Sequence, residues 1–126
     1  MPTSFDYAAI RVVPRVERQE FINAGVVVFC LEKRYLAARI HLDEQRLRAL
    51  WPSIDVELVR EHLEAIPRVC AGDPTAGPIA MLSQRERFHW VIAPRSTIIQ
   101  LSPVHTGLCE GTDELLERLA KQLLDL

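Results

Sequence analysis

The run Val26–Leu31, VVVFCL, constrains the fold of this chain more than any other segment. Every residue in it is apolar, and valine and phenylalanine favour extended backbone because their side chains pack well on a pleated surface. An unbroken apolar run of this length is typical of a buried strand in the centre of a sheet. Gly25, directly before the run, predicts a β-bulge or a close approach of a neighbouring backbone.

Two further strands are predicted on either side of this central one in the chain. The segment Phe5–Val13 is mostly apolar, and Pro14 ends its regular pairing because proline donates no ladder hydrogen bond. A short basic turn leads from the central run into a third strand, Tyr35–Leu42. Because the connections are short, the three strands are expected to form an antiparallel meander.

Apolar residues at helical spacing predict helices after the third strand. The first helix is capped by Asp43 and stops at Pro52, and the second begins near Asp55. Pro67 is expected to end or kink the second helix because its ring clashes with the carbonyl of Leu63. A final helix begins near residues 111–112. The buried stripes are Val56, Val59, Leu63 and Ile66 in the second helix, and Leu115, Leu116, Leu119, Leu123 and Leu124 in the last.

The segments Phe88–Ala93 and Thr97–Leu101 are predicted to be the fourth and fifth strands, joined as a hairpin around residues 94–96. A chain of 126 residues is long enough to bury a core of its own. The prediction is therefore an α+β fold in a single domain over residues 1–126. Its sheet is roughly five-stranded and mainly antiparallel, with helices packed on one face.

Composition argues against several classes of function. A net charge of −2 and 6% aromatic residues do not favour a nucleic-acid-binding module, which needs a positive groove and exposed rings. Three widely spaced cysteines with no C-x-x-C pair are expected to be buried, reduced thiols, which predicts a cytoplasmic location. The first residues lack a signal-peptide pattern, and the longest apolar stretch, residues 24–31, is too short to span a bilayer, so no membrane association is predicted.

Cationic and hydroxyl side chains gather around the predicted strand ends and indicate a site that accepts an anion. The loop after Pro94 alone offers a guanidinium, hydroxyl groups and turn amides, which suit a phosphate or a carboxylate. The same hydroxyls can instead satisfy the backbone of their own turn, and this alternative stays open. The predicted ligand-binding residues are Arg11, Arg15, Arg87, His89, Arg95, Ser96, Thr97, His105 and Thr106.

Arg11 stands out because it interrupts an otherwise apolar strand. A guanidinium is rarely buried unless it is paired. Arg11 therefore reaches an anionic ligand at an open face of the sheet, pairs with a carboxylate such as Glu20 or Asp6, or lies at the solvent-exposed end of the strand. Asn23 is expected to hold the bulge together with Gly25; alternatively, its amide projects toward the same ligand as Arg11.

The polar residues predict neither a metal site nor a cofactor. His89, His105 and Cys109 have the right chemistry for zinc, but their spacing matches no zinc-finger or H-E-x-x-H pattern. Ser96 lacks the G-x-S-x-G context of a nucleophile elbow. An alternative hypothesis keeps His105 or His89 as the general base of a small hydrolase or phosphoryl-transfer enzyme in which arginines stabilise charge.

Several of these segments together resemble a bacterial family known as domain of unknown function 3037. They are YAAIRVVPRVE at 7–17, EFINAGVVVF at 20–29, RFHW at 87–90, PRST at 94–97 and SPVHTGL at 102–108. The resemblance covers nearly the whole chain and implies a small cytoplasmic protein with no activity, cofactor or catalytic residues to carry over. It also implies an association with HipA-like protein kinases of the toxin–antitoxin type.

The residues and the resemblance together favour a non-enzymatic domain that binds a small anionic ligand or a protein partner. The HipA-like kinase is the partner that the resemblance implies. The enzyme with a histidine base and the nucleic-acid-binding module are the two alternatives. No catalytic residue is predicted.

Overall fold

A single antiparallel sheet organises the computed structural model, which describes residues 2–94 and 97–124. Within these residues the sheet has five strands: β1 (Thr3–Val12), β2 (Ile22–Cys30), β3 (Tyr35–Ile40), β4 (Ile99–Leu101) and β5 (His105–Cys109). The order across the sheet is β3-β2-β1, and β4 and β5 both pair with the outer edge of β1. The predicted α+β class and the predicted meander of the first three strands are confirmed.

The first three α-helices lie in the long connection between β3 and β4, and the fourth lies at the end of the described chain. Among the described residues the α-helices are α1 (Glu44–Leu50), α2 (Val56–Cys70), α3 (Gln84–Ile92) and α4 (Leu115–Leu124), with short 3-10 turns at Val16–Arg18, Pro74–Ala76 and Pro78–Met81. The predicted cap at Asp43 is confirmed, since its carboxylate accepts a hydrogen bond from the backbone N–H of Arg46 at 3.1 Å. Asp55, near which the second helix was predicted to begin, caps α2 in the same way by accepting from the Leu58 N–H at 3.1 Å.

The helices cover both faces of the sheet, whereas the sequence predicted cover on one face. Val27 packs on the first face with α1, α2 and α3, while Val26 and Val28 pack on the second face against α4. Successive side chains of a strand point in opposite directions, so the apolar run of β2 needs an apolar partner on each side. The last helix supplies that partner for the second face.

Proline does not end α2, although the sequence predicted an end or a kink at Pro67. The helix continues through Pro67 to Cys70. Its last carbonyl groups are bound by Arg87 of α3, which donates from Nη1 to the oxygens of Val69 at 3.2 Å and Cys70 at 2.7 Å. This contact satisfies acceptors that a helix end leaves unpaired, and it stabilises the turn beyond the proline.

The segment Phe88–Ala93 is helical as far as Ile92, and the prediction of a strand there is wrong. Residues 84–92 form α3, in which Phe88 and Val91 are buried while His89 and Trp90 are exposed. Ser83 caps this helix, because its Oγ accepts a hydrogen bond from the Glu86 backbone N–H at 3.2 Å. A serine followed three residues later by glutamate is a helix-start signal that the strand interpretation overlooked.

The strands at the outer edge of β1 also differ from the prediction. Strand β4 is Ile99–Leu101, shorter than the predicted Thr97–Leu101, and it has no hairpin partner in α3. Strand β5, His105–Cys109, was not predicted. Gly107 in this strand lies against the Phe5 ring, where an added Cβ would be only 2.7 Å from Phe5 Cζ.

Ser102 lies between β4 and β5, and its side-chain oxygen accepts a hydrogen bond from β1 where a regular strand would offer a backbone oxygen. Its Oγ accepts a hydrogen bond from the Ala9 N–H at 2.8 Å, and its own N–H donates to the Ala9 oxygen at 2.9 Å. Pro103 follows and has no N–H to donate. The two short strands therefore run along β1 as one interrupted edge.

Replacing Ser102 with alanine is expected to lower the free energy of unfolding by about 1–3 kcal/mol, because the buried Ala9 N–H loses its acceptor. Denaturant unfolding monitored by circular dichroism measures the change. Ser53→Ala is the matched control, since Ser53 is exposed in a loop, and it should cost less than about 0.5 kcal/mol. Equal losses in the two variants would contradict the role assigned to the Ser102 hydroxyl.

Candidate functional site

A cavity of about 280 Å³ lies on the second face of the sheet, beside α4. Residues from β1, β2, β5, α4 and two connecting segments contribute to it. We call it the Arg11 cavity; it is lined by Tyr7, Ala9, Arg11, Phe21, Asn23, Ser102, His105 and Leu123. Its lining combines one permanent cation with aromatic rings, an amide and a hydroxyl, so it offers several hydrogen-bond donors beside apolar walls.

The bulge predicted at Gly25 is confirmed, and it determines which residues face this cavity. The β1–β2 pairing shifts between Ile10, which lies opposite Gly25, and Arg11, which lies opposite Asn23. A bulge adds one residue to one strand and so changes which side chains share a face. As a result Arg11 and Asn23 lie opposite each other and both line the Arg11 cavity.

Arg11 is half-buried, and no carboxylate among residues 2–94 and 97–124 neutralises its charge. The guanidinium carbon lies 4.1 Å from the centre of the Phe21 ring, a cation–π contact. Glu20 pairs instead with Arg18 at 2.6 Å, and the Asp6 carboxylate accepts a hydrogen bond from Thr106 at 2.8 Å. In the part of the chain that the structure describes, no acidic side chain forms an ion pair with Arg11.

Two polar atoms of the lining residues are buried without a hydrogen-bond partner. The Arg11 Nε and the Asn23 Oδ1 are buried and form no hydrogen bond. The Asn23 amide is oriented by its Nδ2, which donates to the backbone oxygen of Leu123 at 3.3 Å. The opposite orientation would bring two oxygens together, so the unpartnered atom of the amide is its oxygen.

Tyr7 and His105 form the aromatic side of the cavity. They are directly opposite each other in the β1–β5 pairing, and their ring centres are 5.4 Å apart. His105 is exposed and Tyr7 is half-buried, so this pair lines the solvent side of the site. The prediction included His105 but missed Tyr7.

Of the predicted ligand-binding residues, the structure brings Arg11 and His105 together in one cavity. Thr106 points to the other face, where it bonds to Asp6. Arg15 is exposed in a loop and pairs with Glu17 at 2.9 Å. A backbone hydrogen bond, together with the hydrogen bond from the Arg15 side chain, lowers the pKa of the Glu17 carboxyl.

The remaining predicted residues that the structure describes lie elsewhere. Arg87 holds the end of α2 and also donates to the Leu82 oxygen at 3.0 Å, so its guanidinium serves the fold. His89 is exposed on α3, away from the Arg11 cavity. Thr97 lines a different cavity. Arg95 and Ser96 lie outside the described residues.

The cavity next to Thr97 is larger, about 490 Å³, but fewer polar side chains line it. It lies between α2, α3 and β4, and apart from His62 and Thr97 its lining is apolar or aromatic: Ala65, Ile66, Trp90, Ile98 and Ile99. It contains no permanent cation among the described residues. We therefore place the candidate site in the Arg11 cavity, where charge and polar groups converge.

The cysteines lie in the core and not in the site. Cys30, Cys70 and Cys109 are buried free thiols. Burial raises the pKa of the Cys70 thiol to about 12, so at neutral pH it stays protonated and unreactive. Within residues 2–94 and 97–124, no group of three His, Cys, Asp or Glu side chains is close enough to hold a metal ion.

The fold and the site together define a class: an α+β domain with an arginine-containing cavity on one face of an antiparallel sheet. Residues 7–124 match the model of a family described as a protein of unknown function, DUF3037, and the chain belongs to that family. The resemblance read from the sequence is confirmed. Every residue that lines the Arg11 cavity falls within the matched segment.

No curated protein and no solved structure matches this chain. Among the described helices, none is both long enough and apolar enough to cross a bilayer.

Proposed function

We propose that this protein is a non-enzymatic ligand-binding domain whose Arg11 cavity accepts the anionic group of a small molecule. One observation carries the proposal: the half-buried guanidinium of Arg11 has no carboxylate partner among the described residues. A cation withdrawn from water is costly unless a counter-charge approaches it. The Phe21 ring compensates in part, and a bound carboxylate or phosphate would supply the rest.

The same surroundings favour binding over catalysis. A general base acts through a partner that orients it or shares its proton, and the described lining contains no carboxylate beside His105. The Ser102 hydroxyl is engaged with the Ala9 N–H and the Pro103 oxygen, so it is not poised as a nucleophile. The hydrolase alternative has therefore less support in this cavity than ligand binding.

The cellular location and the protein partner that we propose rest on grounds other than the Arg11 cavity. The buried free thiols support a cytoplasmic location, which we propose on that ground. The association with a HipA-like kinase is implied by the family resemblance alone. Co-purification of the protein from its native lysate, with the bound proteins identified by mass spectrometry, tests that association.

Replacing Arg11 with methionine tests the proposal directly. Methionine keeps most of the apolar stem but removes the charge, so affinity for an anion bound in the cavity should fall about 10- to 100-fold. Isothermal titration with a panel of small carboxylates and phosphate esters measures the affinities of the wild-type and variant proteins. Thermal unfolding of both confirms that the variant is folded.

The matched control is Arg15→Met, which removes an exposed guanidinium four positions further along the chain. Because Arg15 pairs with Glu17 outside the cavity, its loss should leave anion affinity unchanged within about twofold. Equal affinities for the wild-type protein and Arg11→Met would remove the site assignment.

A further inference from the structure

We propose that the Arg11 cavity selects an anion with a hydrogen-bond donor next to its acidic group, namely an α-hydroxy or α-amino carboxylate. The inference rests on the proposed function and deepens it. Its basis is a pair of buried, unpartnered atoms that belong to lining residues, the Arg11 Nε and the Asn23 Oδ1. One of these is a donor and the other an acceptor.

The two atoms belong to residues that face each other. Arg11 and Asn23 are directly opposite in the β1–β2 pairing, and both line the same cavity. In antiparallel pairs, opposite residues have Cα atoms about 4.5–5.5 Å apart, which is the scale of a small functional group and its neighbour. A single small molecule can therefore serve both side chains.

A simple anion would serve only one of them. A carboxylate or phosphate accepts hydrogen bonds from Arg11 but, when ionised, has nothing to donate to the Asn23 oxygen. A buried acceptor left without a donor has a substantial free-energy cost, so the best occupant supplies both groups. The hydroxyl or ammonium group of an α-substituted acid lies one carbon away from the carboxylate and is a donor.

The other residues that line the cavity indicate the chemistry of the rest of the ligand. Phe21, Tyr7 and Leu123 provide aromatic and aliphatic surface around the polar pair. A volume of about 280 Å³ admits a molecule with one ring or a short aliphatic chain. We therefore infer an apolar substituent on the acid, as in 3-phenyllactate.

The test compares 3-phenyllactate with 3-phenylpropionate, two acids that differ by the α-hydroxyl group. Isothermal titration of the wild-type protein should show at least about tenfold tighter binding of one enantiomer of 3-phenyllactate. Asn23→Leu removes the acceptor and should bring the ratio of the two affinities close to one, with 3-phenylpropionate still bound. Arg11→Met should weaken both acids, and Arg15→Met should weaken neither.

A second variant covers the case in which Asn23→Leu does not fold, since that change also removes the bond to Leu123. Asn23→Asp places a carboxylate opposite Arg11, where it competes with the ligand's own. This variant should bind both acids at least tenfold more weakly than the wild type.

The outcomes separate the inference from the proposed function. If the wild type binds both acids equally through Arg11, or if Asn23→Leu keeps the preference, the inference is wrong while the anion site stands. If the wild type binds neither acid, the inference is also wrong. The anion site is then judged separately by the panel of carboxylates and phosphate esters with Arg11→Met.

Discussion

Replacing Gly25 with alanine is expected to lower the free energy of unfolding by about 2–3 kcal/mol and to weaken ligand binding at the Arg11 cavity. An added Cβ at this position would lie 2.7 Å from the backbone oxygen of Arg39 and 2.8 Å from the Ile40 side chain. A backbone oxygen in a paired strand cannot move aside as a flexible side chain can. The bulge must therefore rearrange, or β2 and β3 must separate locally.

The effect on binding follows from the register that the bulge imposes. Arg11 lies opposite Asn23 because the β1–β2 pairing shifts next to Gly25. A shift of one residue moves a side chain to the other face of the sheet, so loss of the bulge would separate the two polar groups. Titration of folded Gly25→Ala with the best anion of the panel should show an affinity at least about tenfold below that of the wild type.

Gly111→Ala is the matched control for this experiment. Nothing lies within 4 Å of a Cβ added there, so the variant should unfold within about 0.5 kcal/mol of the wild type and bind normally. If Gly25→Ala were as stable as this control, the close packing assigned to Gly25 would be contradicted.

Replacing Phe88 with alanine is expected to cost about 3–5 kcal/mol of stability, because it empties a space in the main core. The ring is 2% exposed and stacks on Phe29 of β2, with ring centres 5.0 Å apart. This contact joins α3 to the central strand. Denaturant unfolding measures the loss of stability. In the most severe case the variant forms a molten globule, which keeps its helical circular dichroism but loses its near-ultraviolet signal.

His89→Ala is the control on the same helix. His89 is exposed, so its replacement should change stability by no more than about 0.5 kcal/mol. Similar losses for Phe88→Ala and His89→Ala would mean that α3 does not present Phe88 to the core. That result would also contradict the helical assignment of residues 84–92.

The segment around Phe88 shows where local patterns mislead. Phe88–Ala93 reads as a strand because it is short and rich in aromatic and β-branched residues. The same residues are compatible with a helix, in which Phe88 and Val91 share one buried face. Two contacts favour the helix over the strand. Ser83 caps the helix by accepting a hydrogen bond from the Glu86 N–H, and Phe88 packs against the Phe29 ring.

The sequence predicts some of the residues that line the proposed site and misses others. The sequence singles out Arg11 because a cation in an apolar strand needs an explanation, and it offers Asn23 as a residue that could share the ligand of Arg11. Tyr7, Phe21 and Leu123 carry no local signal, since an aromatic or leucine residue is most often part of a core. They line the cavity because β5 and α4 lie where they do on the sheet.

The sequence by itself determined the parts of this protein that depend on near neighbours in the chain. The buried strand β2, the bulge at Gly25 and the caps at Asp43 and Asp55 each follow from a few adjacent residues. Only the tertiary structure decided that α4 covers the second face and that Arg11 lines the same cavity as residues as distant in sequence as Leu123. The physical reason is that local backbone preferences act between adjacent residues, whereas the position of a helix on a sheet depends on the apolar surface that the whole fold leaves to be covered.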